Sequence, residues 1–235
     1  MRRKNFMKEH FKTMLIRCIL LFIGLTIAHL GVTLFLLTNL GSDPFNVLVQ
    51  GIFHTLSGIP GLSFLTHGRT HIAICFLIIL LLLVVDRTYI KIGTFLCMLF
   101  GGPIIDFFTM LLLPLFAHIR ALPLKLLMLV LGCIILAFGM TIVIKSEAGT
   151  GPNDLVSIAL SDKLHIKFSI VRILTDALFV LTGFLLGGAV GIGTIVCVFL
   201  IGPVAGFFLP ISEKIVQHLP VLKAESSSQF LRRSP

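Results

Sequence analysis

Two opposite charges, Arg172 and Asp176, stand four residues apart inside the apolar run from about residue 168 to 187. At helical spacing they share one face and can pair. An ionisable side chain in so apolar a run is costly, and it marks proton, ion or substrate chemistry by default. Asp176 therefore reads in two ways: as an ion-coupling carboxylate, or as half of a structural ion pair with Arg172. Asp106 is a second carboxylate of this kind, in the run 92–113, and is either buried and functional or close to the outer interface. A third group, Asp43, Asn46, Asn153 and Asp154, surrounds Pro44 and Pro152. Proline suits the first turn of a helix, Asp43 suits the N-cap of the helix beginning at Pro44, and Gly151 takes the same place before Pro152. The free N–H groups of a helix start attract an anion, whereas these acidic side chains oppose one and suit a cation; plain capping needs no ligand. The candidate substrate- or ion-binding residues are thus Asp43, Asn46, Asp106, Asp154, Arg172 and Asp176. His29, alone in an apolar run, reads as a packed, hydrogen-bonded residue rather than a ligand.

Other chemistries find little support. The five cysteines, Cys18, Cys75, Cys97, Cys133 and Cys197, each lie in an apolar run and form no CxxC, so they read as small packing residues and not as a metal site or disulfide framework. HExxH and GxSxG are absent, and the glycine-rich stretch from Gly187 to Gly193 does not read GxxxxGK[ST]; a tight turn is expected there. The chain is expected not to be an enzyme and to need no cofactor. Its net charge of +9 comes from basic residues at the ends of apolar runs and at the termini, a distribution that suits a membrane and not a nucleic acid.

The elements that must position these side chains follow from hydropathy. Of 235 residues 57% are hydrophobic and only 12% charged, with a mean hydropathy of +1.08. A soluble domain carries about twice that charged fraction. The expected fold is an all-α polytopic membrane protein of about six spans, near 14–38, 69–87, 92–113, 122–145, 168–187 and 190–210. Period-two alternation, the mark of a β-barrel, is missing. Two short amphipathic helices begin at Pro44 and Pro152. Asn46, Gln50 and His54 form a polar stripe on the first, and Asp154, Ser157 and Ser161 form one on the second. Neither is long enough to cross, so each is expected to lie in the interface or to re-enter. The start MRRKNFMKEHFK leads into an apolar run too long for a signal peptide, which predicts a retained anchor. With six spans, 16 of the 19 Lys and Arg residues fall on one side, which predicts cytoplasmic N- and C-termini in a bacterial cytoplasmic membrane. An eight-span arrangement gives the same count, so charge alone does not decide between them.

The chain also repeats. Gly31, Gly41, Pro44 and Asn46 recur as Gly139, Gly149, Pro152 and Asp154 at an offset of 108. Ile92-Gly93-Thr94, Gly102-Pro103 and Phe107-Phe108 recur at an offset of 100. The expected organisation is a basic N-terminus 1–13, a first membrane half 14–113, a connecting loop 114–121, a second half 122–210 and a tail 211–235. Three spans per half make the halves inverted copies, and Gly/Pro-interrupted segments at matching places point to a binding site in secondary transporters. Gly183/Gly187 and Gly202/Gly206 have the GxxxG spacing of close helix packing.

The motifs LGSDPFNVLVQGI, AGTGPNDLVSIAL, IGTFLCMLFGGP and GIGTIVCVFLIGP together resemble the YczE/YyaS/YitT family of bacterial integral membrane proteins, over roughly residues 14 to 210. The resemblance implies a multi-span bacterial membrane protein and supplies no catalytic residues. The expected activity is that of a small permease moving a solute or ion. The alternative is a membrane accessory or scaffold that assists another protein without transport. Expected partners are the lipid bilayer and a small solute or ion, with a homo-oligomer or a membrane partner protein also open.

Overall fold

A computed structural model describes residues 2–59, 62, 65, 67–116 and 118–218. Eight α-helices stand among the described residues: α1 (Arg2–Leu37), α2 (Pro44–Ser57), α3 (His67–Asp86), α4 (Ile92–Phe116), α5 (Leu122–Lys145), α6 (Pro152–Leu164), α7 (Phe168–Leu185) and α8 (Ile192–Gln217). All but α2 and α6 are long and apolar enough to cross a membrane, which makes this a six-span, all-helical membrane protein. At about 1.5 Å per residue α2 and α6 do not reach across a core roughly 30 Å thick. The outward faces stay apolar: Val84, Met110, Leu185 and Phe199 are all exposed, as lipid-facing side chains are.

Several boundaries depart from the sequence expectation. The basic segment placed at 1–13 continues α1 back to Arg2 instead of standing outside it. Helix α4 passes 113 to Phe116, carrying Pro103 and Pro114 inside it, and α8 passes 210 to Gln217 through Pro210. Proline interrupts a membrane helix less than a soluble one because neighbours re-satisfy the freed carbonyls. Residues 219–235 of the predicted tail lie outside the described residues. Helix α7 stops at Leu185, and Gly187 takes a left-handed φ of 90° in the turn that follows.

Helices α1 and α5 pack along their length, with α4 beside α1 and α8 beside α5. Glycine permits the approach. A Cβ on Gly139 would stand 2.2 Å from the Ala28 amide nitrogen, and one on Gly31 2.3 Å from that of Leu136. Gly24 faces Gly139 and Gly31 faces Gly132, so the two helices run antiparallel. Phe35, Leu129, Met140 and Ile201 fill the core they share with α8, where Cys133 and Cys197 meet as free thiols. The GxxxG glycines are spent inside the chain: Gly183 lies against Val47 of α2, and Gly202 against Ser169 of α7.

The two Gly/Pro loops share one backbone. Asn39 and Glu147 are left-handed, at φ 53° and 56°, and Gly41 and Gly149 follow at φ 143° and 133°. Only glycine adopts those last angles without strain. The Thr38 hydroxyl takes the Leu40 amide at 3.3 Å, and the Ser146 hydroxyl takes that of Ala148 at 3.2 Å. Each loop docks on a helix of the opposite half: Gly193 N–H donates to the Leu40 carbonyl at 2.9 Å, and Gly93 N–H to the Ala148 carbonyl at 2.8 Å.

Candidate functional site

Arg172 stands between two carboxylates. Its Nε donates to Asp176 Oδ2 at 2.9 Å within α7, and its terminal nitrogen donates to Asp154 Oδ1 on α6 at 2.6 Å. The side chains of Arg172, Asp176 and Asp154 are 8%, 1% and 17% exposed. Burial of this order removes water that would screen or solvate the charges, so the pairing has to supply what hydration no longer does.

The local sequence explains the arrangement. Val171, Arg172, Thr175 and Asp176 are buried on one face of α7, the i, i+3, i+4 stripe that a helix turns inward. Pro152 opens α6, Gly151 caps it, and Leu155 and Ala159 seat it on Leu82 of α3. That seating leaves Asp154 turned to α7. One turn on, the Ser157 hydroxyl meets that of Thr175 at 2.6 Å, and Thr175 also donates to its own helix backbone. Asn153 Nδ2 donates to Asp154 Oδ1 at 3.1 Å. Asp176 Oδ1 is buried and has no hydrogen-bond partner among the described residues.

The matching loop of the first half is wired differently. Asp43 caps α2 as expected: one oxygen takes the Asn46 amide at 3.2 Å and the other takes Asn46 Nδ2 at 2.5 Å. Gln50 donates to the Ser42 hydroxyl at 3.3 Å and accepts from the Ala189 amide at 3.2 Å. The Thr194 hydroxyl donates to the Ser42 carbonyl at 2.6 Å. Asp43 and Asn46 therefore pair with each other and not with Arg172, although the Asp43 charge is close enough to act on Asp176 and on His29.

Residues 15–210 match the sequence family described as "Family of unknown function (DUF6198)". The chain belongs to this family. An uncharacterized protein of Haemophilus influenzae is 31% identical over 206 residues, covering 87% of this chain and 88% of the relative. The uncharacterized membrane protein YczE of Bacillus subtilis is 27% identical over 198 residues, covering 84% and 87%. The uncharacterized protein YyaS of the same organism is 26% identical over 194 residues, covering 82% and 92%. No solved structure matches. Its six long apolar helices and its likeness to the membrane protein YczE make the chain a multi-pass membrane protein.

The remaining candidates separate from the cluster. Asp106 is not buried: it sits exposed on α4, and no described residue gives it a hydrogen bond or ion pair. Its neighbour Gly102 has nothing within 4 Å of where a Cβ would stand, so no described residue covers α4 there. His29 Nδ1 bonds the Leu25 carbonyl at 2.7 Å, and its Nε2 points at Gly101. Sequence reasoning paired Arg172 with Asp176 but not with Asp154, and it passed over Thr175. The one available signal was equal spacing, since Asp154 and Ser157 stand three apart on α6, as Arg172 and Thr175 do on α7.

Proposed function

We propose that this chain is a small secondary permease of a bacterial cytoplasmic membrane, built as two inverted halves with both termini in the cytoplasm. The offset of 108 turns the Gly24–Gly139 contact into the Gly31–Gly132 contact, and the offsets together turn the Leu40–Gly193 bond into the Ala148–Gly93 bond. Corresponding helices that meet antiparallel in this way are what a two-fold axis in the membrane plane produces.

The observation that carries the reading is a difference between the halves. Helix α7 packs along α8, with Gly202 and Gly206 against Ser169, whereas among the described residues α3 and α4 hardly touch, Gly102 meets nothing within 4 Å and Asp106 is exposed. One backbone plan held closed in one half and open in the other is the asymmetry that alternating access requires. With the N-terminus inside, the α3–α4 gap opens outward and the α7–α8 seam closes the inner face. The offset of 100 assigns Arg69 to the place of Ser169. Closing α3 on α4 then brings Arg69 toward Asp106, and that ion pair latches the outer gate.

The test places cysteines at positions 73 and 102, the counterparts of the Ile173–Gly202 contact, in a background freed of the five native cysteines that keeps Arg69 and Asp106, in vesicles loaded with a pH-sensitive dye. A short bifunctional thiol reagent is expected to join the two positions. A panel of small solutes is expected to give flux that the crosslink abolishes. Ready crosslinking without flux for any solute, with one membrane protein co-purifying, would instead favour the accessory role, since an exposed intramembrane carboxylate is also what a docking partner would neutralise.

A further inference from the structure

We propose that the cluster of Arg172, Asp154 and Asp176 holds one exchangeable proton on Asp176 Oδ1, and that this proton is the coupling ion. The inference rests on the permease reading for its role in transport but not for the existence of the site.

Charge comes first. One guanidinium faces two carboxylates, and a third, Asp43, acts on Asp176 from the cap of α2. Among the described residues the elements packed on α7 bring no further cation to Asp176: α2 brings Asp43, α6 brings Asp154, and α8 brings the Cys197 thiol. With every carboxylate ionised the group keeps excess negative charge in a setting where uncompensated charge is expensive.

Geometry then says where the compensation goes. Asp176 Oδ2 is held by Arg172 Nε, and Asp154 Oδ1 by the guanidinium terminus and Asn153. Asp176 Oδ1 is the atom with nothing. A bound water would satisfy that oxygen and leave the charge. A metal ion would remove the charge but needs several oxygens, and the nearby hydroxyls of Ser157 and Thr175 are bonded to each other. Among the described residues no three His, Cys, Asp or Glu side chains converge closely enough to hold a metal. A proton meets both demands with a single atom.

The step balances simply. Hydronium gives its proton to Oδ1 and leaves as water, the carboxylate becomes a carboxylic acid, and no electrons are exchanged. Arg172 stays charged throughout. With Asp176 ionised, two full negative charges share the guanidinium; with Asp176 protonated, Asp154 holds it alone. Proton occupancy thereby sets how firmly α6 is drawn to α7, which links the site to the seam between α7 and α8.

The experiment follows the protonated-carboxyl C=O stretch of the full chain in lipid nanodiscs by infrared difference spectroscopy during a pH titration. Apart from the bands of the exposed carboxylates, one titrating band of a buried carboxyl is expected, lost in Asp176→Asn and kept in Asp176→Glu and in the exposed-site control Asp162→Asn. If Asp176→Asn fails to fold, Arg172→Gln combined with Asp176→Asn removes both partners of the pair within α7 and leaves only the partly exposed Asp154 charged, and the band is again expected to vanish. Persistence of the same band in either variant, or no buried-carboxyl band in the native chain, overturns the proposal. The two readings fail separately. A band that titrates in a protein with no solute flux keeps the proton site and sinks the permease; solute flux indifferent to a pH gradient, with no such band, does the reverse.

Discussion

The two Gly/Pro loops have nearly the same backbone and quite different chemistry. Asn39–Leu40–Gly41 and Glu147–Ala148–Gly149 match in dihedral angle, hydroxyl cap and docking bond. Beyond the proline they diverge. In the first, Asp43 is spent on its own helix through Asn46. In the second, glycine does the capping, and the carboxylate at the Asn46 position reaches another helix to meet Arg172. Moving the acidic residue three places along the helix converts a local cap into a tertiary contact. The fold needs the loop twice, whereas the buried ion cluster belongs to the second half alone.

The comparison is broken most severely at Arg172. Arg172→Ala leaves Asp154 and Asp176 without their shared cation and is expected to cost about 3–5 kcal/mol, read as a fall in thermal midpoint in detergent. Adding Asp154→Asn and Asp176→Asn should restore much of it. A small effect from Arg172→Ala would mean that both carboxylates are neutral or wet, and the contrast between the loops would collapse.

The next test asks how alike the two backbones are. Gly149→Ala forces a side chain into a left-handed angle and puts its Cβ 2.6 Å from the Thr94 amide nitrogen; in Gly41→Ala the nearest atom, also at 2.6 Å, is the Thr194 hydroxyl. A hydroxyl can rotate away and a backbone cannot. Both substitutions should destabilise by about 1–3 kcal/mol, with Gly149→Ala the worse of the two. The reverse order in a thermal melt would show that the Thr194–Ser42 bond matters more than backbone clearance. The smallest effect is expected from Asp43→Ala, about 1 kcal/mol for a lost cap, with the infrared carboxyl band still present.

What the sequence revealed divides along physical lines. Spans, short helices and caps depend on neighbours a few residues away, so the apolar runs, Pro44, Pro152 and Asp43 were readable. The Arg172–Asp176 pair is a contact within one helical turn and was readable for the same reason. The Asp154–Arg172 bond depends on how α6 crosses α7, which no local spacing encodes. The exposure of Asp106 was not readable, because a carboxylate in an apolar run looks the same whether it turns inward or outward. Gly187 formed half of a GxxxG that helical spacing alone suggested, yet its backbone angle ends the helix before it.

The exchanged docking bonds bear on how the protein is made. The Leu40 carbonyl finds its donor at Gly193, about 150 residues further along the chain. At ribosomal speeds of about 5–20 residues per second that is a wait of roughly 8–30 s. Throughout it the first loop is inserted, or held at the bilayer surface, with an unsatisfied acceptor. The two halves therefore cannot mature in turn as finished units. The first half completes its docking only once the start of α8 has emerged, and a chain truncated before Ile192 is expected to lack the bond that holds this loop.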